Sequence, residues 1–357
     1  MTEEWTDQIK NQVNTIEKLE KYIEISEDER KAIETLNTKW GTTPYFAALM
    51  SRNDPSCSIR RQVIPSLKEQ TNKYGIANYL MWKENRADED RPDSIARQYH
   101  DRIAFTVSDV CAIYCRHCFR KELVVDKTLQ LNFDVEDGLT WIKEHTEIRD
   151  VLVTGGDPLL FSDDKLEYLI ARLREIPHIE MIRIGSRLPI VLPQRITAGL
   201  KKAIGGFHKV PVWLNTQCNH PKEITEKTEK AVYELLNCGI NVGNQAVLLK
   251  GINDDVETFR ELHLKLLRTR IKPYYIFYCE PAPGMDHFRT PVEKGAELIR
   301  DAIRGHTSGM AQPMYVLATN IGKIPLMPDY YTIDKNEKEY TLRNYKNQTT
   351  KIPNIPE

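Results

Sequence analysis

The sequence predicts an α/β fold: a partial, TIM-like (βα)6 barrel with a helical N-terminal extension and a short C-terminal closing segment. Two observations carry that expectation. From residue 102 onward the chain repeats one unit six times, a short apolar run, a turn and an amphipathic stretch, as parallel strands linked by helices require. A length of 357 residues with 41% hydrophobic content is enough to bury one large core, which excludes wholesale disorder. Six units fall short of the eight in a closed barrel. The sheet is therefore expected to be curved and partly open, with an active site at the C-terminal ends of its strands.

Residues 1–100 read as the helical, loop-rich extension. Leu19, Ile23 and Ile25 stand among charges, and Ser26-Glu27-Asp28-Glu29 has the cap and acidic first turn of a helix start. Seven of the nine residues from Lys83 to Arg91 are charged, which suits a solvated loop or helix. The barrel is expected over 101–310. Its strands are the apolar runs 102–107, 151–154, 181–184, 210–216, 242–248 and 274–278. Its helices are the stretches 135–147, 164–175, 194–203, 222–237, 254–269 and 291–304. Pro221-Lys222-Glu223, a proline followed by an acidic first turn, marks the start of the fourth helix. Residues 311–357 supply the closing segment of strand and tail.

Fifty Lys and Arg against 51 Asp and Glu leave a net charge of -1, with no basic surplus for nucleic acid and no acidic tail. The acidic start Met1-Thr2-Glu3-Glu4-Trp5 lacks the basic and apolar regions of a secretion signal, and no long apolar run follows. The expectation is a cytoplasmic protein that meets neither membrane nor nucleic acid. Seven cysteines, an odd number, argue against a disulfide framework and for a reducing compartment.

Three of those cysteines crowd into Cys111-Ala-Ile-Tyr-Cys115-Arg-His-Cys118, directly after the first expected strand. Three thiolates on one loop can hold three irons of a 4Fe–4S cluster and leave the fourth iron open to an outside ligand. A zinc site usually wants a fourth protein ligand, and no second cysteine pair supplies one. Packed, unpaired cysteines are the plain alternative.

This C-x3-C-x2-C motif resembles that of the radical S-adenosylmethionine (SAM) enzymes. The resemblance implies a barrel of the radical SAM type, with the open iron chelating SAM and its reduction giving a 5′-deoxyadenosyl radical. It also makes Val153-Thr-Gly-Gly-Asp-Pro158 the family's glycine-rich segment, so that Gly155, Gly156 and Asp157 become SAM contacts. Two glycines there would let backbone approach the methionyl end closely.

The likeness extends over residues 35–345 to the lysine 2,3-aminomutase branch, through stretches such as Thr43-Pro-Tyr-Phe46, Arg183-Ile-Gly-Ser-Arg187, Asn219-His-Pro221 and Gly322-Lys-Ile-Pro325. In that branch an amino acid is joined to pyridoxal phosphate (PLP) as an aldimine, and its amino group moves from C2 to C3. By this resemblance Lys323 carries PLP, Arg102 and Tyr99 lie at its phosphate and Gln245 meets SAM. Arg120 pairs the substrate carboxylate, a suitable task for a two-pronged guanidinium. An electron donor such as flavodoxin or ferredoxin is implied, as is association into homo-oligomers.

The chain also departs from the branch. Gln98 replaces an arginine, although Arg97 stands beside it, and Phe277 replaces a tyrosine. The loop Ala318-Thr-Asn-Ile-Gly322 is short and holds one glycine. Where lysine-specific members have two aspartates, this chain has Glu280 and Ala318, leaving one carboxylate for the substrate side chain. Gln217 and Cys218 replace a histidine and an aromatic, and the C-terminal cysteines of an intersubunit zinc site are missing. The first reading is thus a PLP-dependent amino acid 2,3-aminomutase acting on a small amino acid that is not necessarily lysine. The alternative is a PLP-independent amino acid epimerase in which Cys218, expected at the mouth of the barrel, donates a hydrogen atom to an α-carbon radical. A non-catalytic iron–sulfur protein is a third, which SAM cleavage on reduction would exclude.

Overall fold

The computed structural model describes residues 4–73, 91–125, 132–319, 322–326, 331–336, 338–344 and 346–353. A sheet of nine strands in sequential order forms its centre. β1 (Ile95–Tyr99) turns back antiparallel on β2 (Arg102–Ser108). The sheet then runs parallel through β3 (Asp150–Gly155), β4 (Met181–Gly185), β5 (Val212–Thr216), β6 (Asn241–Leu248), β7 (Lys272–Tyr278) and β8 (Met314–Thr319). β9 (Gly322–Pro325) closes it antiparallel to β8. All six expected strands and their helices are present. The strand expected in the closing segment is β8, a seventh parallel strand, and β1 lies in the sheet although residues 1–100 read as a helical, loop-rich extension.

Helices stand where amphipathic stretches follow the strands, and side chains fix their starts. Asp134, Ser162, Thr197, Thr225 and Asp255 cap the helices at Val135–Glu144, Asp163–Glu175, Ala198–Ile204, Glu226–Asn237 and Val256–Arg268, each accepting a first-turn N–H. Pro221–Glu223 is a separate 3-10 turn ahead of its helix rather than the first helical turn. The last expected helix is Glu293–Leu298 running into a π turn, Ile299–Ile303.

Strand alternation separates two environments. Val151, Val153, Ile182, Ile184, Leu214 and Ala246 are buried in the core. Their neighbours Leu152, Thr154, Met181, Arg183, Asn215 and Gln245 turn inward and line a cavity of about 530 Å³ inside the curve of the sheet. The two ends of the sheet meet and close its curve around that cavity. Gln98 Nε2 donates to the Thr319 carbonyl at 3.1 Å, and the Lys323 N–H donates to the Tyr99 hydroxyl at 2.8 Å.

The extension includes the helix Glu27–Thr35, with the expected Ser26 cap completed into a capping box by Glu29. The charged run from Lys83 lies outside the described residues apart from Arg91, which is buried and donates to the Arg97 carbonyl. β10 (Thr332–Lys335), β11 (Glu339–Arg343) and β12 (Thr349–Pro353) form a small antiparallel sheet of their own. Among the described residues no helix is long and apolar enough to cross a membrane.

Candidate active site

The cysteine loop follows β2, at the C-terminal ends of the parallel strands, and Cys111, Cys115 and Cys118 line the rim of the cavity. Among the described residues no three His, Cys, Asp or Glu side chains are drawn into a single-ion cage. What the three thiols share is one wall and a mutual field. Burial pushes the Cys118 thiol up to about 11, with Cys115 adding to it, and holds Cys111 well above an ordinary thiol, with Asp157 and the other two cysteines adding. Cationic iron would offset that penalty by binding the thiolates, so the donor set fits a cluster held by three cysteines through three of its irons.

The extension fixes the loop from behind. Arg116 is buried and donates through Nε and Nη2 to Glu69 at 2.9 and 2.5 Å and through Nη1 to the Lys39 carbonyl at 2.9 Å. The Arg116 N–H donates to the Gln62 carbonyl, that of Tyr114 to Gly41, and Gln12 Nε2 to Ala112.

Gly155, Gly156 and Asp157 line the cavity, and their nearest partners lie within the protein. A Cβ on Gly155 would stand 2.2 Å from the Ser108 carbonyl oxygen, and one on Gly156 2.3 Å from that of Val110. The Gly156 and Asp157 N–H groups donate to those same carbonyls. The glycines thus let the end of β3 lie against the strand of backbone leading into Cys111, a close approach expected toward SAM. The Asp157 carboxylate accepts from the Leu159 and Arg187 N–H groups and is pushed up to about 6 by its burial, so it ties the turns after β3 and β4 together.

Arg120 donates through Nη1 to Thr154 Oγ1 and the Gly155 carbonyl, at 2.7 and 2.8 Å. Its Nε is buried without a partner beside the cavity it lines, an unmet donor that suits a carboxylate ligand. Across the cavity Tyr99 collects two cations: Arg102 lies 4.1 Å from its ring centroid and Lys323 Nζ 5.5 Å. Lys323 is exposed to water through the cavity whose wall it helps to form. Partial desolvation there, with Arg183 and Arg102 nearby, pushes its amine down to about 8. Arg183 is paired to Asp150 at 2.8 Å. Glu280 faces the same space, and burial pushes its carboxyl up to about 7 against the pull of Lys323 and Arg120. Gln245 lines the cavity from β6.

Cys218 is placed elsewhere. It is fully buried, its Sγ donates to the His220 carbonyl at 3.4 Å, and Asn244 holds its backbone at both the N–H and the carbonyl. Thr216 and Gln217 line the cavity, whereas Cys218 is not among its lining residues. Arg97 also turns away, pairing Glu147 at 3.0 Å, so it does not stand in for the arginine missing at Gln98.

The cavity therefore joins three cysteines, an arginine with a free donor, and a lysine among cations. The sequence profile of the radical SAM superfamily matches residues 105–263, and that of lysine-2,3-aminomutase matches 300–357. L-lysine 2,3-aminomutase of Clostridium subterminale is 41% identical over 353 residues, 97% of this chain and 83% of its own. Glutamate 2,3-aminomutase of Clostridioides difficile is 35% identical over 362 residues, 99% and 84% of the two chains. A radical SAM methyltransferase structure from Sphaerobacter thermophilus overlays with a TM-score of 0.44 at 13% identity, covering 64% and 69%, too loose a likeness to add weight. A 4Fe–4S cluster and SAM go with the superfamily. On nearly full-length identity to relatives that are isomerases, this chain belongs to the lysine 2,3-aminomutase family of radical SAM enzymes.

Proposed function

We propose that this enzyme moves the amino group of a free amino acid from C2 to C3, with the cluster on Cys111, Cys115 and Cys118 and PLP on Lys323. The observation that carries the reading is that these cysteines, Arg120 and Lys323 all line one cavity. Bound there, the cluster and SAM supply an adenosyl radical, and PLP an electron-accepting ring. Arg102 and Arg183 provide positive charge for the phosphate, Tyr99 fixes the lysine-bearing hairpin, and Gln245 lies within the SAM space. Arg120 offers its unpartnered Nε edge to the substrate carboxylate and so orients the α- and β-carbons. Of the two positions that carry aspartates in lysine-specific members, Glu280 keeps a carboxylate on the cavity and Ala318 offers none. That favours an amino acid other than lysine. A flavodoxin or ferredoxin in the cytoplasm supplies the electron.

The test is anaerobic incubation of reconstituted enzyme with SAM, PLP, reductant and a panel of L-amino acids, with amine products separated by mass and retention. A β-amino acid from one panel member is the expected result. Racemised α-amino acid with no β-isomer would reject the reading.

The position of Lys323 also predicts a pH dependence. Only the neutral amine attacks an aldehyde, so capture of pyridoxal speeds up as pH rises and levels off above about 8, where an ordinary lysine would still be climbing toward 10.5. Arg102→Gln removes a cation that disfavours the protonated amine, so the midpoint moves upward. Stopped-flow absorbance follows both, and a midpoint unmoved by Arg102→Gln would exclude the cation as its cause.

A further inference from the structure

Arg187, at the turn after β4, has no part in the reaction as read so far. It is nonetheless buried, and its guanidinium meets four acceptors. Nη1 donates to Cys115 Sγ at 2.8 Å, Nη2 to Gln62 Oε1 at 2.6 Å and to Glu223 Oε2 at 2.9 Å, and Nε to the Gln217 carbonyl at 3.1 Å. Glu223, fully buried, is pinned in turn. Its Oε1 accepts from Gln62 Nε2 at 3.0 Å, from the Asn219 N–H at 3.0 Å and from the His220 N–H at 2.9 Å. The result is a neutral ion pair, fixed at both ends, with its positive end on a cysteine of the cluster loop and its negative end one side chain further away.

We propose that Arg187 and Glu223 set the reduction potential of the cluster, Arg187 raising it and Glu223 lowering it. The inference rests on the reading that Cys111, Cys115 and Cys118 hold that cluster. Reduction adds one electron to the cluster, delivered by the external donor, and so makes the ligand sulfurs more negative. An N–H donor and a positive charge on a ligand sulfur stabilise that state, and a carboxylate nearby opposes it. Because both groups are buried, little water screens either effect. Arg187 touches the sulfur and Glu223 does not, so the arginine has the larger influence. Both are positioning residues: Glu223 does not line the cavity, and Arg187, which does, meets Cys115 there and has no role in the steps proposed above.

The experiment is an EPR-monitored redox titration of anaerobically reconstituted holoenzyme without substrate, on the wild type, R187Q, R187K and E223Q, with iron content measured alongside. R187Q is expected to lower the ratio of reduced to oxidised cluster at a fixed solution potential about tenfold, equivalent to about 59 mV for one electron. E223Q is expected to raise that ratio, by less. Opposite signs are the discriminating result, because a loosened loop would move both variants the same way. Equal signs, or unchanged potentials at wild-type iron content, overturn the proposal. Should R187Q fail to retain iron, R187K and E223Q decide it, and an unmoved potential in E223Q again overturns it. A wild-type chain that takes up no cluster would instead strike down the cluster reading beneath.

Discussion

Lys323→Ala is expected to give no new absorbance band when the apoenzyme is mixed with PLP, and to lower turnover by about 10³-fold, an effect comparable in size to losing one positioned catalytic group. Iron content and SAM binding should stay at wild-type levels. The loss is chemical because little of the fold depends on the side chain. The residue's N–H is held by Tyr99, and its backbone pairs with Ala318 in the β8–β9 hairpin, and both contacts survive truncation to Cβ. What disappears is an amine pushed down to about 8 by partial desolvation in the cavity and by Arg183 and Arg102. At pH 8 the neutral fraction of such an amine is about a hundredfold greater than that of an ordinary lysine. Lys323→Arg separates nucleophile from charge: it keeps a cation at the position and cannot attack, so it should fail like alanine. Borohydride reduction followed by peptide mapping reads the outcome directly. If PLP is trapped on the chain in Lys323→Ala, another amine carries it and the assignment falls.

The local parts of this site were legible in the sequence, and the parts built from distant residues were not. The cysteine spacing, the turn after β3 and Gly322-Lys323-Ile-Pro325 are short motifs, and each lies on the cavity wall. The six expected strands were found because their outward faces, such as Val151 with Val153 and Ile182 with Ile184, are continuous with the core. β1 escaped notice because Ile95-Ala-Arg-Gln-Tyr99 is an edge strand with little apolar content, and an edge carries no strong periodic signal. Cys218 looked well placed because it closely follows a strand. The strand ends at Thr216, however, and Asn244 holds the Cys218 backbone where its side chain is buried in the core, a contact across 26 positions that no local pattern encodes. Gln62, Glu69 and Glu223 were missed for the same reason. Their partners Arg187 and Arg116 are 125 and 47 positions from Gln62 and Glu69, so nothing in either segment shows that they meet.

The clearest consequence of those distant contacts concerns Gly156. Gly156→Ala is expected to destabilise the apo chain by about 2–4 kcal/mol, the upper part of the usual range for point substitutions, and to lower iron retention with it. The added methyl would stand 2.3, 2.6 and 2.7 Å from the O, N and C atoms of Val110. All three are backbone atoms, so no side chain can rotate aside. The alternative is to pull residues 108–110 away, breaking the Gly156 and Asp157 N–H bonds to Ser108 and Val110 and carrying Cys111 with them. Gly155→Ala would mix this clash with backbone strain, because φ there is +135°, so Gly156 isolates the steric effect. Gly309→Ala is the matched control: nothing lies within 4 Å of its Cβ position, and its stability should change by no more than about 0.5 kcal/mol. Urea denaturation of the apo chains and iron per chain after reconstitution measure the two effects. A Gly156→Ala chain with wild-type stability and iron content but weakened SAM binding would mean that the glycine makes room for the cofactor. Loss of stability before any cofactor is added would mean that it makes room for the cysteine loop, which is where the nearest atoms lie.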